Sequence, residues 1–198
     1  MRHFVIKFRK APTDPTLINL KDLPGSGRID VISRVVNSAF WLSWNIRKDV
    51  NLHIILAGPP NPPVYIRFEG ERMKKVSPDE RNIACFIKKA LENVIDNEEL
   101  EFNPGIFVSK KDLDSVLEKL SKEKIPFYLL EESGVSINSI KLVDNAVFIL
   151  GDHQGFSKSD LQIIEKFRPI KVSLGKISYT TSHCIVILNY LLDQAYLK

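Results

Sequence analysis

The chain has 198 residues, 44% hydrophobic and 26% charged, which suits one soluble domain with a real core and excludes a disordered or collagen-like chain. Its net charge of +4, with a pI near 9.0, is a mild basic excess that permits an anionic partner without demanding one. Two distant cysteines, Cys85 and Cys184, lie outside any CxxC spacing, so neither a disulfide framework nor a metal site is expected, and free thiols suit a reducing cytoplasm.

In chain order, Arg2 to Phe8 alternates and is rich in β-formers, predicting a first strand. Lys10 to Ser26, with Pro12, Pro15 and Pro24, reads as a loop. Asp30 is placed to cap a helix reaching about Ile46, with Ile32, Val35, Ala39 and Leu42 on its inner face. Val50 to Ala57 predicts a buried strand, and the prolines from Pro59 to Pro63 forbid regular pairing after it. Val64 to Glu69 predicts the next strand, closed by Gly70. Ser77-Pro78-Asp79-Glu80 has capping-box spacing with proline at the first helical position, and its helix turns Ile83, Ile87, Ala90, Leu91 and Val94 inward.

Glu98 to Asn103 reads as an acidic linker and Gly105 to Val108 as a short strand. Ser109 to Asp112 opens an amphipathic helix bearing Leu113, Val116, Leu117 and Leu120. Phe127 to Leu130 and Val143 to Leu150 predict strands, and Ser157 to Asp160 caps a helix with Leu161, Ile164 and Phe167. Ile170 to Leu174 is the last predicted strand, and Thr180 to Leu197 a last helix, apolar nearly all round from Ile185 to Tyr196. Strands alternating with helices predict an α/β fold with a largely parallel sheet flanked by helices. No charged-then-apolar leader opens the chain, and the apolar stretch Cys184 to Leu192 is too short for a bilayer, so a soluble intracellular protein is expected.

Chemistry is expected in the last quarter. The strand ending Phe148-Ile149-Leu150 runs into Gly151-Asp152-His153-Gln154-Gly155, and Lys171-Val172-Ser173-Leu174 runs into Gly175-Lys176-Ile177-Ser178. Turns of this kind at strand C-terminal ends expose main-chain groups where open α/β sheets hold ligands. The first turn is neither a dinucleotide fingerprint nor a Walker loop, because its glycines are spaced GxxxG and no Gly-Lys-Ser/Thr follows. His153 is a possible base, although exposed loop histidines are usually spectators. Cys184 lies in the first turn of the last helix, where the helix dipole lowers a thiol pKa, and it equally suits a small buried filler. Among the basic residues of the N-terminal half, Arg28 and Asp30 form Arg-x-Asp, with Arg34 one turn on. Arg67, Arg72, Lys74, Lys75 and Arg81 gather around the Ser77–Glu80 segment. Arg81 near a helix N-terminus opposes the dipole, which phosphate contacts would explain; a solvated charged face with local pairs such as Glu71–Lys75 is the plainer reading.

Phe148 to Gly155, Ser173 to Ser178 and Thr181-Ser182-His183-Cys184 resemble the C-terminal motifs of SPOUT RNA methyltransferases. Arg28-Ile29-Asp30-Val31, the proline-rich loop and Val64 to Gly70 extend the resemblance upstream, to the archaeal TrmY family, which methylates N1 of pseudouridine 54 in tRNA. Each motif alone is weak; together they are specific and span essentially the whole chain. The resemblance implies a single SPOUT domain over residues 1–198, with a C-terminal trefoil knot in about 127–198, a cytoplasmic location and a homodimer joined partly through the apolar last helix. It implies S-adenosylmethionine bound in the knot by Leu130, Gly151, Ser173, Leu174, Gly175, Lys176, Ile177, Ser178 and Cys184. The related ribosomal-RNA pseudouridine N1-methyltransferases share the Arg-x-Asp and arginines near Arg81, which implies RNA contacts by Arg28, Arg34, Arg67, Arg72 and Arg81.

The sulfonium activates the methyl group without a metal, so the enzyme's main task is alignment, worth up to ~7–11 kcal/mol. Asp30 is the candidate acceptor for the N1 proton, with Glu69 as a second, and Cys184 is a wall of the site. Other expectations stay open: a ribosomal-RNA pseudouridine N1 or ribose 2′-O SPOUT enzyme, a non-catalytic RNA-binding protein of the same fold, and a small-molecule α/β enzyme.

Overall fold

The computed structural model describes residues 1–96 and 98–195. Thirteen main elements follow in the order β1 (Arg2–Phe8), α1 (Ile29–Phe40), β2 (Val50–Leu56), β3 (Val64–Glu69), α2 (Glu80–Glu92), β4 (Leu100–Asn103), β5 (Ile106–Ser109), α3 (Leu113–Ser121), β6 (Phe127–Ser136), β7 (Ala146–Leu150), α4 (Lys158–Glu165), β8 (Ile170–Ser173) and α5 (Thr181–Ala195). The strands form one sheet in the order β4-β5-β3-β2-β1-β7-β6-β8. Strand β1 lies inside it, parallel to β2 on one side and to β7 on the other.

Alternation along the inner strands sorts side chains to two faces. Phe4, Ile6 and Phe148 join one core with Ile32 and Val35 of α1, Ile83 and Ile87 of α2, and Ile185 and Leu188 of α5. Val5, Val147 and Ile149 join a second core with Val116 and Leu117 of α3 and Ile164 of α4. The sheet is therefore covered on both faces, as near-continuous apolar strands require. The α/β expectation holds, and parallel pairing links β2, β1, β7, β6 and β8. The other half departs from it: β3, β5 and β4 run antiparallel, because their connections on that edge return without a crossover helix between β2 and β3 or between β4 and β5.

Five local expectations are corrected. Asp30 does not cap α1: Arg28 is the cap residue, without a side-chain cap bond, and Asp30 lies in the first turn. Helix α1 stops at Phe40, not near Ile46: Trp41 turns extended and bridges to Ile46, and the Arg47 N–H donates to the Phe40 carbonyl at 2.7 Å. Leu42 consequently lies outside the helix, 48% exposed. Helix α2 is capped by Asp79, whose carboxylate accepts from the Asn82 N–H at 2.8 Å, so Pro78 lies before the cap and no Ser77 box forms. The acidic stretch after Glu98 contains the edge strand β4, its charge met by Arg72 on Glu101 at 2.5 Å and by Lys119 on Glu99 at 3.1 Å. Strand β6 continues past Leu130 to Ser136, with a break described below. The expected ends of the last helix at Tyr196 and Leu197 lie outside the described residues. The predicted box at Ser157 and Asp160 is present.

Two buried polar networks lie inside this frame. Arg2, 1% exposed, donates to Asp144 at 2.9 Å, to Asp193 at 2.8 Å and to Asn189 at 3.1 Å. Asp193 also takes Arg47 at 2.5 Å. On the opposite face a buried chain joins His3 Nδ1 to His53 Nε2 at 3.1 Å and His53 Nδ1 to the Tyr65 hydroxyl at 2.6 Å.

Burial, aided by the nearby N-terminus and Arg67, holds the His3 pKa down at about 4, against an ordinary 6.5. Burial also lowers His53. The unfolded chain therefore takes up protons as pH falls through 6.5, while folded His3 stays neutral until about 4. Stability is expected to be full above that window and to decline as pH falls through it. Urea unfolding at pH 7.5 and pH 5 measures the difference, which shrinks in His3→Gln.

Candidate active site

The chain passes from β7 across β6 to reach β8, and ligands gather outside strand C-terminal ends at such a switch. A cavity of about 650 Å³ lies there, within the ~300–1,000 Å³ range of small-molecule sites. Three turns build its wall. Leu130 ends the regular part of β6, Gly151 follows β7, and the segment after Ser173 follows β8. The Thr181 hydroxyl donates to the Gly151 carbonyl at 2.7 Å, tying the start of α5 to the end of β7. The Gly175 N–H donates to the Ser173 hydroxyl at 3.2 Å, and Gly175 takes φ 120°, a conformation that side-chain-bearing residues rarely adopt.

Buried Asp152 sets the shape of the loop beyond Gly151. It accepts from the Gln154 N–H at 2.8 Å and from the Arg9 N–H at 3.1 Å, while the Arg9 side chain donates to the Gln154 carbonyl at 3.0 Å. The end of β1 thus braces the loop after its neighbour β7.

The mouth of α1 forms another side. Arg28 adopts a left-handed backbone, φ 66° and ψ 37°, which is uncommon for a residue with a side chain and a mark of functional segments. Its guanidinium grips Asp30 with two bonds of 2.9 and 3.1 Å, and Arg34 reaches the same carboxylate at 2.5 Å. Asp30 is buried, which alone would raise its pKa, yet the hydrogen bonds and charges of Arg28 and Arg34 outweigh burial and hold it low. Arg28 and Arg34 line the cavity, with Asp30 bound to both.

Of the residues expected from sequence, Leu130, Gly151, Ser173 and Leu174 line this cavity, and so do Gly175, Ile177, Ser178 and Cys184. Lys176 is exposed and is not part of its lining. Arg67 is elsewhere and its charge is met internally. It stacks 3.9 Å from the Phe107 ring centre and pairs with Glu69 and, at 3.1 Å, with Glu99. That also engages Glu69, the second proton-acceptor candidate. Arg72 is half exposed on Glu101, and Arg81 is exposed in the first turn of α2. The Glu71–Lys75 pair is replaced by Arg72 with Glu69 and Glu101.

Cys184 reverses the dipole expectation: burial pushes its thiol up to about 11, so it stays protonated. Glu131 and Glu132 also line the cavity and were missed; their one signal in sequence is an acidic pair directly after an apolar strand. Among the described residues no group of His, Cys, Asp and Glu is arranged to hold a metal, and no helix is long and apolar enough to cross a membrane.

Residues 1–197 match a protein family described as "Putative SAM-dependent RNA methyltransferase". The tRNA (pseudouridine(54)-N(1))-methyltransferase of Methanocaldococcus jannaschii is 43% identical over 202 residues, covering 98% of this chain and 97% of its own. Those of Methanococcus maripaludis and Thermococcus kodakarensis are 44% and 43% identical, each covering 98% of this chain and 99% of the relative. In three dimensions the chain is similar to Archaeoglobus fulgidus Nep1 bound to S-adenosylhomocysteine, with a TM-score of 0.69 at 12% identity over 99% of this chain and 98% of that one. The latter likeness bears on the fold, which is SPOUT-like.

The protonated state of Cys184 has a direct readout. Iodoacetamide is expected to modify it far more slowly at pH 7.5 than an ordinary free thiol, with the rate rising only toward pH 11, followed by peptide mass spectrometry.

Proposed function

The chain belongs to the family of SAM-dependent RNA methyltransferases, and from that membership we propose that it methylates N1 of pseudouridine 54 in tRNA. The names of its full-length relatives support the substrate. The observation that carries the reading to particular residues is the cavity at the ends of β6, β7 and β8, bounded by Arg28 and Arg34. Its size and its main-chain turns suit a bent S-adenosylmethionine. Leu130, Gly151, the Ser173–Ser178 turn and Cys184 would hold it, the adenine against main chain.

When bound, the donor supplies a methyl group already activated on sulfur. The chain's own task is then to align the target nitrogen with that methyl, exclude water and remove one proton. Pseudouridine is joined to ribose through carbon and keeps a proton on N1, whereas uridine has none there. The base must leave its stack to reach the cavity, at a cost of a few kcal/mol. Phosphate contacts would offset that cost, and the exposure of Arg28, Arg34, Arg72 and Arg81 supports a role for them there, Arg72 keeping Glu101 as a partner. Asp30 acts first as a brace that aims Arg28 and Arg34. A phosphate that draws Arg34 away leaves Asp30 Oδ2 held by Arg28 alone, with a lone pair open to accept the N1 proton.

The reading extends to one SPOUT domain whose donor-binding part, about residues 127–198, forms a trefoil knot; the order β7-β6-β8 and the β8–α5 turn support it. It also extends to a homodimer, supported by Val186 and Tyr190 of α5, 50% and 60% exposed. A cytoplasmic location suits the two free cysteines.

Incubation with labelled S-adenosylmethionine is expected to modify a tRNA carrying pseudouridine at the target position and to leave the uridine transcript unlabelled, with 1-methylpseudouridine found by nucleoside analysis. Equal labelling of both, or label on ribose, would replace this reading with another SPOUT activity. Arg81→Ala is expected to weaken tRNA binding and flatten its salt dependence by about one phosphate contact. Donor affinity, measured by calorimetry, stays unchanged in that variant.

A further inference from the structure

Strand β6 leaves its ladder beside the cavity. Leu130 pairs opposite Val172, and Val135 is again opposite Val172, so residues 131–134 form an excursion from the β6–β8 ladder. The return is tight: a Cβ on Gly134 would lie 2.5 Å from the Val172 nitrogen, so only glycine fits there. The excursion puts Glu131 and Glu132 on the β6 side of the cavity, while Arg28 and Arg34 line its α1 side. Glu131 is drawn to Lys171 at 3.6 Å, which also meets Glu165 at 2.7 Å. Glu132 differs: its carboxylate accepts from the Ser178 hydroxyl at 2.7 Å, a neutral partner, and among the described residues it has no ion-pair partner. Ser178 belongs to the turn that follows β8, so an anionic side chain is fastened to the same turn that lines the cavity.

We propose that Glu132 is a specificity-determining residue that reads the positive charge of the methyl donor and favours it over the neutral demethylated product. The inference rests on the cavity being the donor site. S-Adenosylmethionine carries a sulfonium in addition to its amino-acid zwitterion; S-adenosylhomocysteine has the same outline without that charge. A carboxylate near the cavity attracts the first more than the second, whatever main-chain contacts they share. The same charge repels phosphate, leaving RNA to the Arg28 and Arg34 side, so the two reactants enter from opposite electrostatic sides. After transfer the attraction is gone, which speeds exchange of product for fresh donor.

Two variants separate this role from a merely mechanical latch. Glu132→Gln keeps an oxygen for Ser178 and removes the charge, and its exposed position makes misfolding no concern. Ser178→Ala keeps the charge and removes the hydrogen bond. By calorimetry at low salt, Glu132→Gln is expected to weaken S-adenosylmethionine binding about three- to fivefold, the scale of an exposed charge, and to leave S-adenosylhomocysteine unchanged. High salt is expected to erase the wild-type advantage. Ser178→Ala is expected to shift both ligands by the same factor. If Glu132→Gln shifts both ligands equally, or neither, the proposal is overturned while the donor site stands. If the wild-type protein binds neither ligand, the donor-site reading itself fails and takes the proposal with it.

Discussion

Arg2 is the residue on which the arrangement of the whole chain turns. A guanidinium removed from water costs several kcal/mol unless its partners are in place. Here they come from distant stretches: Asp144 just before β7, and Asn189 and Asp193 on α5. The first strand and the last helix are thereby fastened at the N-terminal edge of the sheet. At the opposite edge, Thr181 on Gly151 fastens the beginning of the same helix. A helix held at both ends cannot slide along the sheet, so the turn leading into α5 stays over the ends of β6, β7 and β8. The cavity is the space that these two anchors keep open.

Charge is distributed in keeping with that plan. The formal excess of +4 says little about where a polyanion would settle, because several arginines are already answered inside the protein. Arg67 is flanked by Glu69 and Glu99 and stacked on Phe107, and Arg72 is tied to Glu101. Arg28 and Arg34 both hold Asp30, Arg34 also lies 3.8 Å from Glu80, and both remain nearly half exposed beside the cavity. The arginines beside the cavity thus keep an exposed face, as Arg81 does at the start of α2.

Much of this was legible from residues alone. The alternation in Arg2–Phe8 marked β1 to the residue, and the glycine turns after Leu150 and Ser173 marked the walls of the cavity. Local signals succeeded where the backbone needs a particular residue, as at Gly175. They failed where long-range contacts decide. Nothing near Phe40 announces the end of α1; the stop comes from the bridge between Trp41 and Ile46. The acidic run after Glu98 looked unfit for a strand because its neutralising partners, Arg67, Arg72 and Lys119, are remote in sequence. The role of Arg67 was hidden for the same reason. Glu131 and Glu132 reach the cavity through the break in β6, which no local pattern announces.

The placement of β1 between β2 and β7 carries a consequence for biosynthesis. A nascent chain emerging from the ribosome can pair β1 with β2 early, but one edge of β1 and one flank of α1 stay bare until β7 and α5 have been made. Pairings of such long sequence separation form slowly and leave apolar surface uncovered meanwhile. Premature termination anywhere before α5 would therefore yield a half-sheet with sticky borders and an unfinished cavity, a product suited to proteolytic clearance.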